Sequence, residues 1–317
     1  MWFSIISHRV SGIRFSAIVP SNAQDIYNNK SFFALAVPFS QWSYETWDLL
    51  CEWWKNGEAK KRGLSLIHGT TLDSIPDPAP NPWRHIPLAY TSLSPQECAK
   101  YGPYCKSGSR FGTFTAEPAR FLPTLLEEVR ARGGRLVVRR LATLQDAAAE
   151  ADLLINCSGL GARDLVPDPS VYPCRGQVMR VRAPWVTSYL ADDSNEAFGY
   201  IIPNHDTVVL GGTHQDNNWN LEVDPADSRA IWSACTSLLP SLKSAEVVRE
   251  WVGLRPCRSK GVRLEEDELK MGSRTVPVIH NYGHGGSGVT LFWGCSREVA
   301  RLASNILYRC YGPTSRL

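Results

Sequence analysis

The chain has 317 residues, 43% hydrophobic and 21% charged, a globular composition long enough for two domains or one large α/β unit and neither fibrous nor disordered. With 34 Lys and Arg against 31 Asp and Glu, the formal charge is only +3 and there is no basic block to track a phosphate backbone, so nucleic acid is not an expected partner. The nine cysteines are an odd number, with no CxxC pair and none beside a His at zinc spacing, which disfavours metal and disulfide frameworks; no signal peptide opens the chain and no run reaches the roughly 18 to 20 apolar residues that cross a bilayer, so a soluble, reducing setting is expected.

In chain order, residues 42–54 predict an aromatic helix, and the proline-rich run 76–82 an extended loop, because proline removes donors and restricts its predecessor. Pro118 opens a helix whose apolar residues Phe121, Leu122, Leu125, Leu126 and Val129 recur at helical spacing, and Gly133 and Gly134 end it. Residues 135–139 read as a strand, 144–151 as a short helix and 152–157 as a buried strand, an alternation that implies an α/β sheet. From about 171 to 263 the pattern turns to strands, at 176–182, 199–202 and 207–211, in a mainly antiparallel layer. A helix over 225–239 follows, then the acidic segment 264–269, expected as a solvated face. The last unit reads as a strand at 277–280, a glycine-rich turn, a strand over 289–292 and a helix over 296–310.

Two glycine turns stand where chemistry is expected. Ser158-Gly159-Leu160-Gly161-Ala162 follows a buried strand, where glycines let a backbone approach a ribose or pyrophosphate closely, or simply make a tight connection. Gly283, Gly285, Gly286 and Gly288 form a nest of backbone N–H groups suited to an anion or an electron-rich ring, or a sharp reversal, with His284 inside it. Arg255 and Arg263, each beside a glycine turn, suit a bidentate carboxylate clamp or a surface ion pair. Tyr200 offers a phenol to the same group, or packs its ring in a strand. The chain ends Ser315-Arg316-Leu317, a conservative variant of a tripeptide read by a peroxisomal import receptor.

In order along the chain, Ile155-Asn156-Cys157-Ser158-Gly159-Leu160-Gly161-Ala162, Arg175-Gly176-Gln177-Val178, Tyr200-Ile201-Ile202-Pro203, Leu210-Gly211-Gly212-Thr213, Val252-Gly253-Leu254-Arg255-Pro256, Val262-Arg263-Leu264 and His280-Asn281-Tyr282-Gly283-His284-Gly285-Gly286 resemble the D-amino-acid oxidase family of FAD flavoproteins, which includes D-aspartate oxidase. The resemblance spans roughly residues 34–317. It implies an α/β fold with a discontinuous Rossmann-like FAD-binding domain (residues 1–38, 118–175 and 265–317, incomplete at its start) and a mainly antiparallel substrate domain (39–117 and 176–264). It further implies that Arg263 binds the substrate carboxylate with Tyr200, that the Gly286 carbonyl holds the amine, and that Leu141, Ser158, Gly285, Gly286, Ser287, Gly288, Val289 and Thr290 contact FAD. The implied reaction is hydride transfer from a D-amino acid to flavin N5 without a catalytic protein base or a metal. Oxygen then gives hydrogen peroxide, and the product hydrolyses to a 2-oxo acid and ammonia. The family's members commonly carry a peroxisomal signal, which strengthens that reading of the tail.

The chain departs from the family at its start. Gly12 is the only glycine before Gly57, so the GxGxxG turn that seats the FAD pyrophosphate is missing, and residues 14–19 correspond at best to the family's second strand. Charge-assisted hydrogen bonds are worth about 1.5 to 3 kcal/mol each, so weakened FAD binding is expected of this chain, as of a truncated, alternatively spliced or diverged member. His214 stands where the aspartate enzymes have Arg. Protonated, it is the available cation for a side-chain carboxylate, which tips the expected substrate slightly toward acidic D-amino acids; neutral ones are the alternative.

Overall fold

A computed structural model describes residues 2–10, 13–20, 37–76, 78, 81–193 and 199–312. The C-terminal Ser315-Arg316-Leu317, residues 77, 79 and 80 of the proline-rich run and residues 194–198 lie outside them. In chain order the elements are β1 (Trp2–Val10), β2 (Ile13–Pro20), α1 (Val37–Lys55), β3 (Leu64–Asp73), β4 (Leu88–Ser92), α2 (Pro95–Cys98), β5 (Ser107–Ala116) and α3 (Pro118–Ala131). There follow β6 (Arg135–Arg140), α4 (Gln145–Ala148), β7 (Leu153–Asn156), α5 (Ala162–Leu165), β8 (Val171–Arg182), β9 (Tyr189–Asp193), β10 (Gly199–Pro203), β11 (Val208–Gly211) and β12 (Gln215–Asp216). The chain closes with α6 (Pro225–Leu238), β13 (Glu246–Arg258), β14 (Arg263–Met271), β15 (Arg274–Tyr282) and α7 (Gly288–Tyr311).

The strands make two sheets. The first has six strands in the order β14-β15-β7-β2-β1-β6, and its central trio β15, β7 and β2 is parallel. One face is covered by α4 and α5, where Leu144, Ala147, Ala148 and Leu165 meet Ile18, Leu154 and Val278; the other is covered by α7 through Val299, Ala303 and Ile306 against Leu153 and Ile279. This is the helix-sheet-helix layering that parallel strands need, since both their faces are apolar. Truncating Ile306 to Ala is expected to cost about 2 to 5 kcal/mol.

The second sheet has nine strands, and β8 runs through it between β11 and β12 on one side and β13 on the other. Strands β10 and β11 are buried at every residue, which is why they read as continuous apolar runs. Helix α6 covers one face through Ile231 and Cys235. The other face packs Val178, Tyr200 and Ile202 with Trp47, Leu50 and Trp53 of α1, Phe121 of α3 and Phe292 of α7. Helices α1 and α7 touch because Gly294 lacks a side chain: a Cβ there would lie 2.2 Å from the Trp42 Cα. Strand β8 belongs to this sheet from Val171 onward and the chain returns to the first sheet at Arg263, so the change of sheet falls a few residues before the expected boundary at 175.

The expected strand at 289–292 is instead the opening of α7. Val289-Thr290-Leu291-Phe292 has the β-branched and aromatic character of a strand, yet Leu291, Cys295, Val299, Ala303 and Ile306 are all buried and recur at helical spacing, so tertiary packing decides for the helix. Among the described residues the acidic segment is an edge strand, β14, paired only with β15, and its charged side chains discourage pairing with another chain. Residues 14–19 fall within β2, a central strand parallel to β7.

Candidate active site

At the carboxyl edge of the parallel trio two glycine turns come together. β7 ends at Asn156 and leads through Ser158 into a 3₁₀ turn, Gly159–Gly161; β15 ends at Tyr282 and leads through Gly283 into a second, Gly285–Ser287, which opens α7. Gly159, Gly283 and Gly285 have φ of 58°, 88° and 56°, conformations in which a side chain is strained. Open sheets of this kind bind ligands outside the carboxyl ends of their strands, and the free N–H groups of a long helix point the same way. Among the described residues the fully buried Ser158 hydroxyl has no hydrogen-bond partner, and neither has the buried Asn281 Oδ1. A buried polar atom without a protein partner calls for a water, an ion or a ligand. Residues 284–289 are half-buried around it, and burial pulls the His284 imidazole down to about 4, so it is neutral near pH 7.

A buried polar chain fixes the Ser158 turn. In the parallel register His280 lies opposite Asn156, and the Asn156 Nδ2 donates to His280 Nδ1 at 3.0 Å while its Oδ1 accepts the Ser158 N–H at 3.2 Å. His280 Nε2 therefore carries the proton and donates to Asp267 at 3.2 Å. Burial, and then the Arg263 charge, push the His280 pKa down, which favours this neutral tautomer. Arg263 closes the chain: its guanidinium contacts Asp267 at 2.9 Å, Glu265 at 2.7 Å and the Tyr282 hydroxyl at 3.1 Å.

Across from these turns stands one face of the second sheet. Tyr200 is opposite Gly211, Gly211 opposite Val178, and Gly176 opposite Gly253, so lateral neighbours across β10, β11, β8 and β13 share that face. The glycines hollow it. A Cβ on Gly211 would lie 2.1 Å from the Tyr200 ring, and one on Gly176 would lie 2.4 Å from the Arg255 guanidinium. Arg255 is only 4% exposed; its Nη1 donates to the Thr213 carbonyl at 3.2 Å and the Arg175 carbonyl at 3.4 Å, and its Nε has no partner. The Tyr200 hydroxyl lies beside Arg255; burial pushes the phenol up while the arginine opposes the shift. The turn at Gly285 meets β13 here, since a Cβ on Gly285 would lie 3.3 Å from Cys257 Sγ.

The structure thus brings Ser158 and residues 285–290 to the same edge of the first sheet and sets Tyr200 with Arg255. It does not set Tyr200 with Arg263, which is held in the first sheet by two carboxylates and Tyr282. Leu141 follows β6 with its side chain in the core beside Leu144 and Ile18, so a cofactor contact from it falls to its backbone. His214 is more than half exposed, 3.5 Å from Asp216. Sequence reasoning passed over Asn156, His280 and Asp267 as individual residues. It also missed Arg175, fully buried, which binds Asp227 at 2.7 Å, Gln177 at 2.8 Å, Gln215 at 2.9 Å and the Asn220 and Glu222 carbonyls, tying the 213–224 loop and the start of α6 to β8. A charged residue inside the strand pattern at 171–182 was the available signal.

Comparison with known proteins agrees with this layout. The FAD dependent oxidoreductase family profile matches residues 9–302. The chain belongs to that family. It is 41% identical over 248 residues to a D-amino-acid oxidase of Rubrobacter xylanophilus, covering 78% of this chain and 74% of the relative. It is 38% identical over 274 residues to a D-aspartate oxidase of Homo sapiens, covering 86% and 79%. Among solved structures, glycine oxidase from Geobacillus kaustophilus shares the fold with a TM-score of 0.70 at 19% identity, covering 92% of this chain and 88% of that one.

The cofactor of this family is FAD, and the described residues fit it. The buried, unpartnered Ser158 hydroxyl and Asn281 oxygen, the glycines with positive φ and the N-terminus of α7 offer hydrogen bonds to a polar, electron-rich ring system without side chains in its way.

Proposed function

We propose that this chain is a FAD-dependent oxidase of D-amino acids, releasing hydrogen peroxide and an imino acid that hydrolyses to a 2-oxo acid and ammonia. The observation that carries the reading is the Tyr200–Arg255 pair. A buried guanidinium whose Nε has no partner among the described residues, packed with a buried phenol into the space that Gly176 and Gly211 leave, supplies the donors a substrate carboxylate needs. The relatives' names supply the substrate class.

When bound, FAD would supply the acceptor for the hydride, a proton with two electrons, that leaves the substrate α-carbon. The chain's residues orient. Arg255 and Tyr200 hold the carboxylate, the Gly286 carbonyl accepts from the amine, and the aromatic wall of Trp47, Phe121 and Phe292 excludes water from the neighbouring core. The Gly285–Thr290 segment and Ser158 would hold the flavin. Arg263 serves at one remove, by anchoring Asp267 and His280 behind Ser158.

Substrate choice turns on His214. As the cation of this rim it favours an acidic side chain; its pairing with Asp216, which would repel a second carboxylate, favours a neutral one. Peroxide release with D-aspartate and D-alanine, L-enantiomers as controls, tests both readings: turnover of neither D-enantiomer by the FAD-supplied protein removes the proposal. We also assign a peroxisomal import receptor as partner of Ser315-Arg316-Leu317, tested by whether this tripeptide at the C-terminus of a fluorescent protein directs it to peroxisomes.

A further inference from the structure

We propose that Cys174, His214 and Asp216 form a binding site for a divalent transition cation of the zinc class at the rim of the second sheet. Cys174 is far in sequence from His214 and Asp216, which is why residue spacing pointed away from a metal centre. The sheet assembles them. Strand β12 pairs antiparallel with β8 so that Asp216 lies directly opposite Cys174, and His214 stands two residues earlier, just ahead of that strand. The Cys174 Sγ, a His214 ring nitrogen and an Asp216 carboxylate oxygen all lie within 4.8 Å of one another, with Nε2 and Oδ1 3.5 Å apart.

Zinc held at about 2.0 to 2.3 Å by such ligands spaces them roughly 3.3 to 3.8 Å apart. The trio needs to contract by about 1.5 Å at most, and the two ligands that must move are the solvent-facing ones, with side chains 59% and 50% exposed. Cys174 is fixed: it is fully buried in β8. One thiolate, one imidazole and one carboxylate suit zinc and its neighbours and not calcium or magnesium, which take oxygen. The charges also close. A thiolate and a carboxylate neutralise a dication, so Arg255, whose Nη1 is 3.6 Å from Cys174 Sγ, faces a neutral centre and not a cation. The fourth position falls to water, which keeps the centre neutral. Binding replaces the thiol proton by the metal, with the proton released to solvent. The site stands whether or not Arg255 holds a substrate carboxylate.

The test is metal retention by the purified chain supplied with FAD. After incubation with zinc and desalting, we expect one zinc per chain by elemental analysis, with an X-ray absorption first shell of one sulfur at about 2.3 Å and nitrogen or oxygen at about 2.0 to 2.2 Å. Asp216→Asn, an exposed change that leaves the core intact, loses that zinc; Cys174→Ser loses it too, with far-ultraviolet dichroism reporting whether this buried variant has folded. No retained zinc in the wild-type protein, retention undiminished in Asp216→Asn, or a first shell without sulfur each overturns the proposal.

Discussion

Arg255 on β13 and Tyr200 on β10 meet across the hollow left by Gly176 and Gly211, while Arg263, eight residues after Arg255 and beside a similar glycine turn, is bound into the other sheet by Glu265, Asp267 and Tyr282. The two arginines therefore differ in what their loss does. Arg255→Lys keeps the charge but loses the planar fork, and kcat/KM for D-amino acids should fall by about 100-fold or more, chiefly through KM, with the fold intact. Arg263→Ala should instead lower stability by about 1 to 3 kcal/mol and leave substrate KM nearly unchanged. Steady-state kinetics and denaturant titration separate them; a raised KM in the Arg263 variant alone would reverse the assignment.

Filling the hollow tests the same face from the backbone. Gly211→Ala puts a methyl 2.1 Å from the Tyr200 ring, so the ring must shift. Overpacking of this kind costs about 1 to 3 kcal/mol, and the thermal midpoint and kcat/KM should fall together. Wild-type kinetics in this variant would show that the ring position does not matter.

His280 acts through Asn156 on the Ser158 turn. His280→Phe removes the acceptor of the Asn156 amide and leaves it unpaired in a buried place, costing about 1 to 3 kcal/mol. Part of that loss should appear as weaker FAD binding, about ten-fold, with the KM for D-amino acids unaltered at saturating FAD. Flavin fluorescence quenching measures it, and equal FAD affinity in the variant and wild type would disconnect the chain from the cofactor.

His284 gives the cofactor-free protein a pH signature. Burial lowers its folded pKa from 6.5 to about 4, so the unfolded chain binds a proton that the folded one refuses. Its stability contribution is complete above pH 6.5, falls as the pH drops from 6.5 to about 4, and is constant below, for a loss of about 2 to 3 kcal/mol. Chemical denaturation across that window should show the slope in wild type and a flatter one in His284→Gln.

Sequence reasoning served best where an element carries its own period or stop signal. Helix α3 has Pro118 at its start and apolar residues at helical spacing, and β10 and β11 are short apolar runs around a polar turn. It served worst where packing decides, as at 289–292, and in β3, β4 and β5, whose mixed burial obeys no strict alternation. The two glycine turns of the site were legible because glycine answers a local backbone demand. The choice between Arg255 and Arg263 was not, since both sit in similar glycine-flanked segments and only strand register places one beside Tyr200 and the other beside Tyr282. Cys174 with Asp216 was hidden for the same reason.

The most direct measurement is anaerobic mixing of the FAD-supplied protein with a D-amino acid, D-aspartate and D-alanine in turn, while the visible band of oxidised flavin is recorded. The account predicts that FAD binds saturably, that the band bleaches with the D-enantiomer only, and that it returns with one equivalent of hydrogen peroxide when oxygen is admitted. Bound flavin that stays oxidised with every D-amino acid, in a protein shown to be folded, would contradict it.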